Sequence, residues 1–165
     1  MEKITSVKEF QTEVLKDLYN AEVLTVTELL YFKNLAERPD LKDLIQDYLY
    51  SCRSHITALE ELLDDGNTPY FEDHCRTMKS LIRESKKLVE QCGNETVREL
   101  AIITALQRIS TCKKTAYKSL LNSGAKTPEK KYQTRMKEII QREYDMEVAL
   151  ENMIADNINF KMPAS

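Results

Sequence analysis

Apolar residues recur along this chain at steps of three and four, or at sums of those steps, in four separate stripes. The first runs Leu15, Leu18, Glu22, Thr25, Leu29, Phe32. The second runs Leu41, Leu44, Tyr48, Cys52, His55, Leu59, Leu62. A third reads Val97, Ile103, Leu106, Ser110, Tyr117, Leu120, and the last Tyr132, Met136, Ile139, Glu143, Met146, Leu150, Met153. That period is the signature of helices with one face turned to a core. The breakers are few and well separated: Pro39, Gly66 with Pro69, Gly93, and Gly124 with Pro128. They divide the chain into helical stretches over 7–37, 40–65, 71–91, 95–123 and 128–158. Asp40 and Asn94 are placed to cap the second and fourth stretches. Thr127 before Pro128 reads as a cap with proline at the first helical position.

Four of the stretches are about 36–46 Å long at 1.5 Å per residue, and the third is shorter. Long helices of matched length joined by short loops predict an all-α four-helix bundle in a single domain over 1–165. The first two helices form one antiparallel hairpin and the last two another. The short third stretch crosses between them.

Every stripe is broken near its middle by something polar: Glu22, Cys52 with His55, Ser110, and Glu143. Four interruptions at a similar depth say more than one. Buried acids are rare unless paired, hydrogen-bonded or bound to metal. Cys52 and His55, at i and i+3, share a helical face and point to the same level.

Composition narrows the classes. The 165 residues are 42% hydrophobic and 31% charged, with only three glycines and four prolines, as an all-helical domain requires. A net charge of -3 offers no basic footprint for nucleic acid. No apolar run is long enough to span a bilayer, and the first residues carry no apolar signal core, which predicts a cytoplasmic protein. The four cysteines, Cys52, Cys75, Cys92 and Cys112, form no C-x-x-C pair and read as reduced thiols.

The segments LKDLYNAE (15–22), LEELLDD (59–65), NETVRELAIITALQ (94–107), AYKSLL (116–121) and IADNIN (154–159) together resemble the YciE/YciF-type family of bacterial ferritin-like proteins. The resemblance covers nearly the whole chain. It implies a ferritin-like bundle with a short crossover helix, a link to stress responses, and a homodimer. It also implies where a di-metal centre would lie. Glu22 matches the first-helix Glu, and His55 the second-helix His, with Cys52 in place of the Glu three residues earlier. The fourth-helix Glu falls on Ser110, with Thr111 and Lys113 where relatives carry further His or acid. Glu143 survives in the last helix, but Gln141 and Arg142 stand where relatives are acidic.

These departures change the chemistry. Two bridged cations need several carboxylates, and here there are two acids, one imidazole and one thiol. One reading is a relic network in which Glu22, His55, Ser110 and Glu143 hydrogen-bond to one another and no metal or other cofactor is held. A second is a mononuclear zinc or iron site at Glu22, Cys52, His55 and Glu143. A third is thiol catalysis by Cys52 with His55, which lacks an evident cleft or oxyanion donors. The first is preferred, with a structural or interaction role and no enzymatic activity. The sequence leaves open whether Lys113 swings in to replace the missing cation. Two surface features also stay open. KTPEKKYQTR (126–135) is either a contact for an acidic partner or an exposed basic face. Tyr19, Tyr31, Tyr48, Tyr50 and Tyr117 serve bundle packing or a dimer face.

Overall fold

In a computed structural model, residues 3–63, 75–123 and 130–156 are described, together forming five helices. These are α1 (Val7–Leu35), α2 (Pro39–Leu63), α3 (Arg76–Gln91), α4 (Glu95–Ser123) and α5 (Lys130–Asp156). No strand occurs among the described residues. α1 pairs with α2 and α4 with α5, while α1 also lies along α4 and α2, more lightly, along α5. The long helices therefore close a ring of four. The crossover α3 packs on α4 and touches α1, burying Met78, Ser85 and Val89. No helix among the described residues is long and apolar enough to cross a membrane.

The helix ends follow local chemistry. Ser6 and Glu9 form a reciprocal capping box at the start of α1. α1 stops at Leu35, two residues short of the expected end. Arg38 precedes Pro39, which disfavours helical backbone there. The amides of Glu37 and Arg38 instead donate to Glu99 Oε1 at 2.7 and 3.4 Å. Asp40 is not the cap of α2 as expected. Pro39 takes the first helical position, and Asp40 sits inside the first turn, paired with Arg38. Asn94 does cap α4, its Oδ1 accepting the Val97 amide at 3.1 Å. α3 begins at Arg76, and Cys75 precedes it in left-handed backbone, φ 63°, rather than lying within the helix. Its amide donates to Asp17 Oδ1 at 3.0 Å. The expected start of the crossover at 71 and the Thr127–Pro128 cap lie outside the described residues.

Of the apolar stripes, Val97 departs: it lies in the first turn of α4 and is 38% exposed. Leu44, Leu62, Tyr132 and Met153 are half-buried, and the remaining stripe residues are buried. The buried apolar residues form two clusters. One gathers Leu29, Phe32, Leu41, Ile45, Leu49, Ile102, Leu106, Ile109 and Leu150 with their neighbours. The other gathers Leu15, Leu18, Leu59, Tyr117, Leu120, Met136 and Ile139. On all four long helices the break between clusters falls at the polar interruption of the stripe.

Candidate functional site

The layer between the two apolar clusters is a closed polar network. Glu22 comes from α1, Tyr48, Cys52 and His55 from α2, Ser110, Lys113 and Tyr117 from α4, and Glu143 from α5. All eight are buried, with at most 2% of any residue exposed. Their spacings explain their convergence. Tyr48, Cys52 and His55 are four and three residues apart, as are Ser110, Lys113 and Tyr117 at three and four, so each trio shares one face of its helix.

The centre of the network is an ammonium group. Lys113 Nζ lies 2.9 Å from Glu22 Oε2, 2.8 Å from Glu143 Oε1 and 3.3 Å from Cys52 Sγ. It donates to Glu22 and Cys52 and forms an ion pair with Glu143. The ring of Tyr48 lies beneath it, 4.6 Å from Nζ to the centroid. The carboxylates are held from behind as well. Glu22 Oε1 accepts the Tyr117 hydroxyl at 2.8 Å and the His55 Nδ1–H at 3.1 Å. A carboxylate can only accept, so this contact places a proton on Nδ1. Glu143 Oε2 accepts the hydroxyls of Tyr48 at 2.7 Å and Ser110 at 2.8 Å. Glu143 Oε1 also lies 3.6 Å from His55 Nδ1.

The electrostatics follow from burial and neighbours. Burial raises the Glu22 pKa, but Lys113 and His55 outweigh it and bring the carboxyl down to about 2. Burial works against the Lys113 ammonium. The carboxylates of Glu143 and Glu22, with the Cys52 sulfur as a further hydrogen-bond acceptor, more than offset that, so the lysine titrates well above its usual range. Burial pushes the Cys52 thiol well up, leaving it protonated and unreactive at neutral pH. Burial likewise raises Tyr48 and Tyr117, so both act as hydroxyl donors.

Of the four sequence candidates for metal binding, Glu22, His55 and Glu143 bring donor atoms within 4.8 Å of one another. Cys52 stands outside that group, with its sulfur on the lysine. Lys113, Tyr48 and Tyr117 were not among the candidate ligands, yet they complete the network. The available signal was helical spacing: Lys113 follows Ser110 by three residues, Tyr48 precedes Cys52 by four, and Tyr117 follows Lys113 by four. The other expected tyrosines diverge. Tyr19 reaches Glu60 at 3.4 Å, Tyr31 lies under Lys86, and Tyr50 is 73% exposed.

The family model described as "Domain of unknown function (DUF892)" matches residues 6–162. "Protein YciF" of Escherichia coli K12 is 20% identical over 157 residues, covering 94% of this chain and 95% of that protein. The crystal structure of the E. coli stress protein YciF superposes with a TM-score of 0.86, covering 94% of this chain and 99% of the other. YcfI from Rhodopseudomonas palustris, for which a structural role has been suggested, superposes with a TM-score of 0.84 at 17% identity, covering 91% and 96%. These structural likenesses bear on the fold.

Proposed function

The chain belongs to the YciE/YciF-type family, the domain of unknown function DUF892, and within that family we propose that it is a bundle whose metal centre has been replaced by a lysine. Its role is then structural or interactive, in the context of stress, with no oxidative catalysis. One observation carries this reading: Lys113 Nζ stands 2.8–2.9 Å from both buried carboxylates, the place where a cation between them would be.

The donor set does not fit a di-metal centre. Two carboxylates cannot neutralise and bridge two divalent ions. Each also has an oxygen accepting hydroxyl hydrogen bonds. A single ion at Glu22, His55 and Glu143 would face the ammonium at contact distance unless Lys113 left the core. Thiol chemistry is disfavoured by the buried, protonated Cys52. The stress context rests on the description of E. coli YciF as a stress protein. The structural role rests on the one suggested for YcfI.

The test is elemental analysis of the purified protein after exposure to iron, zinc and manganese, beside Lys113→Ala. The expected result is metal well below one ion per chain in the unaltered protein. In Lys113→Ala, which vacates the space between three donors, metal should approach one per chain with a matching thermal stabilisation. About one ion per unaltered chain, lost in His55→Ala, would replace this reading with the mononuclear metalloprotein.

A further inference from the structure

His55 uses one edge of its ring. Nδ1 is committed to Glu22, whereas Nε2 is buried and has no hydrogen-bond partner among the described residues. The two nitrogens diverge, so the edge turned away from Glu22 is the unpartnered one. His55 also lines a pocket of about 80 Å³ between α2 and α5. A water needs about 10–15 Å³ of such space. The pocket therefore has room for several waters or one small polyatomic ion.

The walls are cationic. Ser54 and Ala58 of α2 complete one side, and Arg135, Glu138, Ile139 and Arg142 of α5 the other. The carboxylates nearest Arg135 are Glu61 and Glu138, each at 3.7 Å, beyond hydrogen-bond distance. No described carboxylate pairs with Arg142. Two guanidiniums therefore line the pocket together with the His55 ring, with Glu138 on its wall and Glu61 beside Arg135 as the nearby carboxylates. Arg135 closes the basic stretch that the sequence left open, and Arg142 stands where the resemblance implied an acid.

We propose that this pocket binds a phosphate-class oxyanion. Arg135 and Arg142 supply charge-assisted hydrogen bonds at the mouth. The Ser54 hydroxyl donates from the side, and His55 Nε2 forms the floor. Hydrogen phosphate carries both P–O⁻ acceptors and a P–OH donor, so it completes Nε2 whether or not that atom bears a proton. Glu138 is the built-in competitor. It lies on the same helical face, three residues after Arg135 and four before Arg142, and must turn outward when the anion enters. The site uses the Nε2 edge of His55 and does not depend on the metal reading. A metal-loaded protein could retain it, and a metal-free one could lack it.

The experiment is calorimetric titration of the full chain with sodium phosphate, with ionic strength held constant by sodium chloride. Thermal shift provides a second readout. Saturable binding is expected, weakened about tenfold in Arg135→Ala and in Arg142→Ala and tightened in Glu138→Gln. All three positions are outside the buried network, so the variants should fold. Sodium acetate, titrated identically, should bind more weakly. Absence of saturable phosphate binding would overturn the proposal. So would binding that persists in both arginine variants, or acetate binding as tight as phosphate.

Discussion

Lys113 carries a full charge into the centre of the bundle, where solvent does not reach it. Removing such a charge from water costs several kcal/mol, recovered only if its partners are close and complete. Here they are, and the consequence is asymmetric. Lys113→Met would leave Glu22 and Glu143 facing each other without a cation. It should lower stability by about 3–5 kcal/mol at neutral pH, measured by urea denaturation. Acid should partly rescue that variant, because protonating one carboxyl relieves the repulsion. The unaltered protein should respond in the opposite direction. Tyr117→Phe is a milder cut. It removes one donor from a charged acceptor and should cost about 1.5–3 kcal/mol in the same measurement. A loss near zero would mean that Glu22 does not rely on the hydroxyl.

At the scale of elements, the helix boundaries depend on a few polar side chains. Ser6→Ala breaks one half of a capping box and should cost about 1 kcal/mol, with faster amide hydrogen exchange confined to the first turn of α1. Glu99 does more. It is buried on α4 yet serves the α1–α2 turn, accepting the amides of Glu37 and Arg38. It thereby ties one hairpin to the other. Glu99→Ala should cost about 1–3 kcal/mol and speed exchange at those two amides. Had the turn been held only by Pro39, exchange there would not change. Asp40 follows the same logic: a proline at the first helical position moves the cap back to Arg38, and the acid becomes that residue's partner instead.

For the whole molecule, a polar layer divides the core into two apolar halves. Both hairpins must close before its charges are matched, since every ion pair in it joins two different helices. Its pH dependence has a definite sign. Glu22 is held at about 2 when folded against an ordinary 4.5. Its stabilisation is therefore fully present above pH 4.5 and is lost as pH falls toward 2. That shift corresponds to roughly 3 kcal/mol. Lys113 acts at the other end: its stabilisation is present below the usual lysine range and is lost only as pH rises through its raised folded value. Denaturant midpoints should therefore be flat near neutrality and fall between pH 4.5 and 2. A drop already complete by pH 5 would contradict the Glu22–Lys113 pairing.

The spacing of Leu15 through Phe32, Leu41 through Leu62, Ile103 through Leu120 and Met136 through Leu150 determined the four long helices and their inward faces, because a 3.6-residue period leaves little choice of which side is buried. It also placed Glu22, His55, Ser110 and Glu143 at one depth. The pairings that give this layer its chemistry were decided only by tertiary structure. A lysine at the edge of a stripe can extend outward to water or inward to acid. The choice falls inward because carboxylates from α1 and α5, a sulfur from α2 and a tyrosine ring meet around one point that no single helix specifies. The pocket behind His55 has the same origin, since Arg135 and Arg142 become neighbours of that ring only where α5 passes α2.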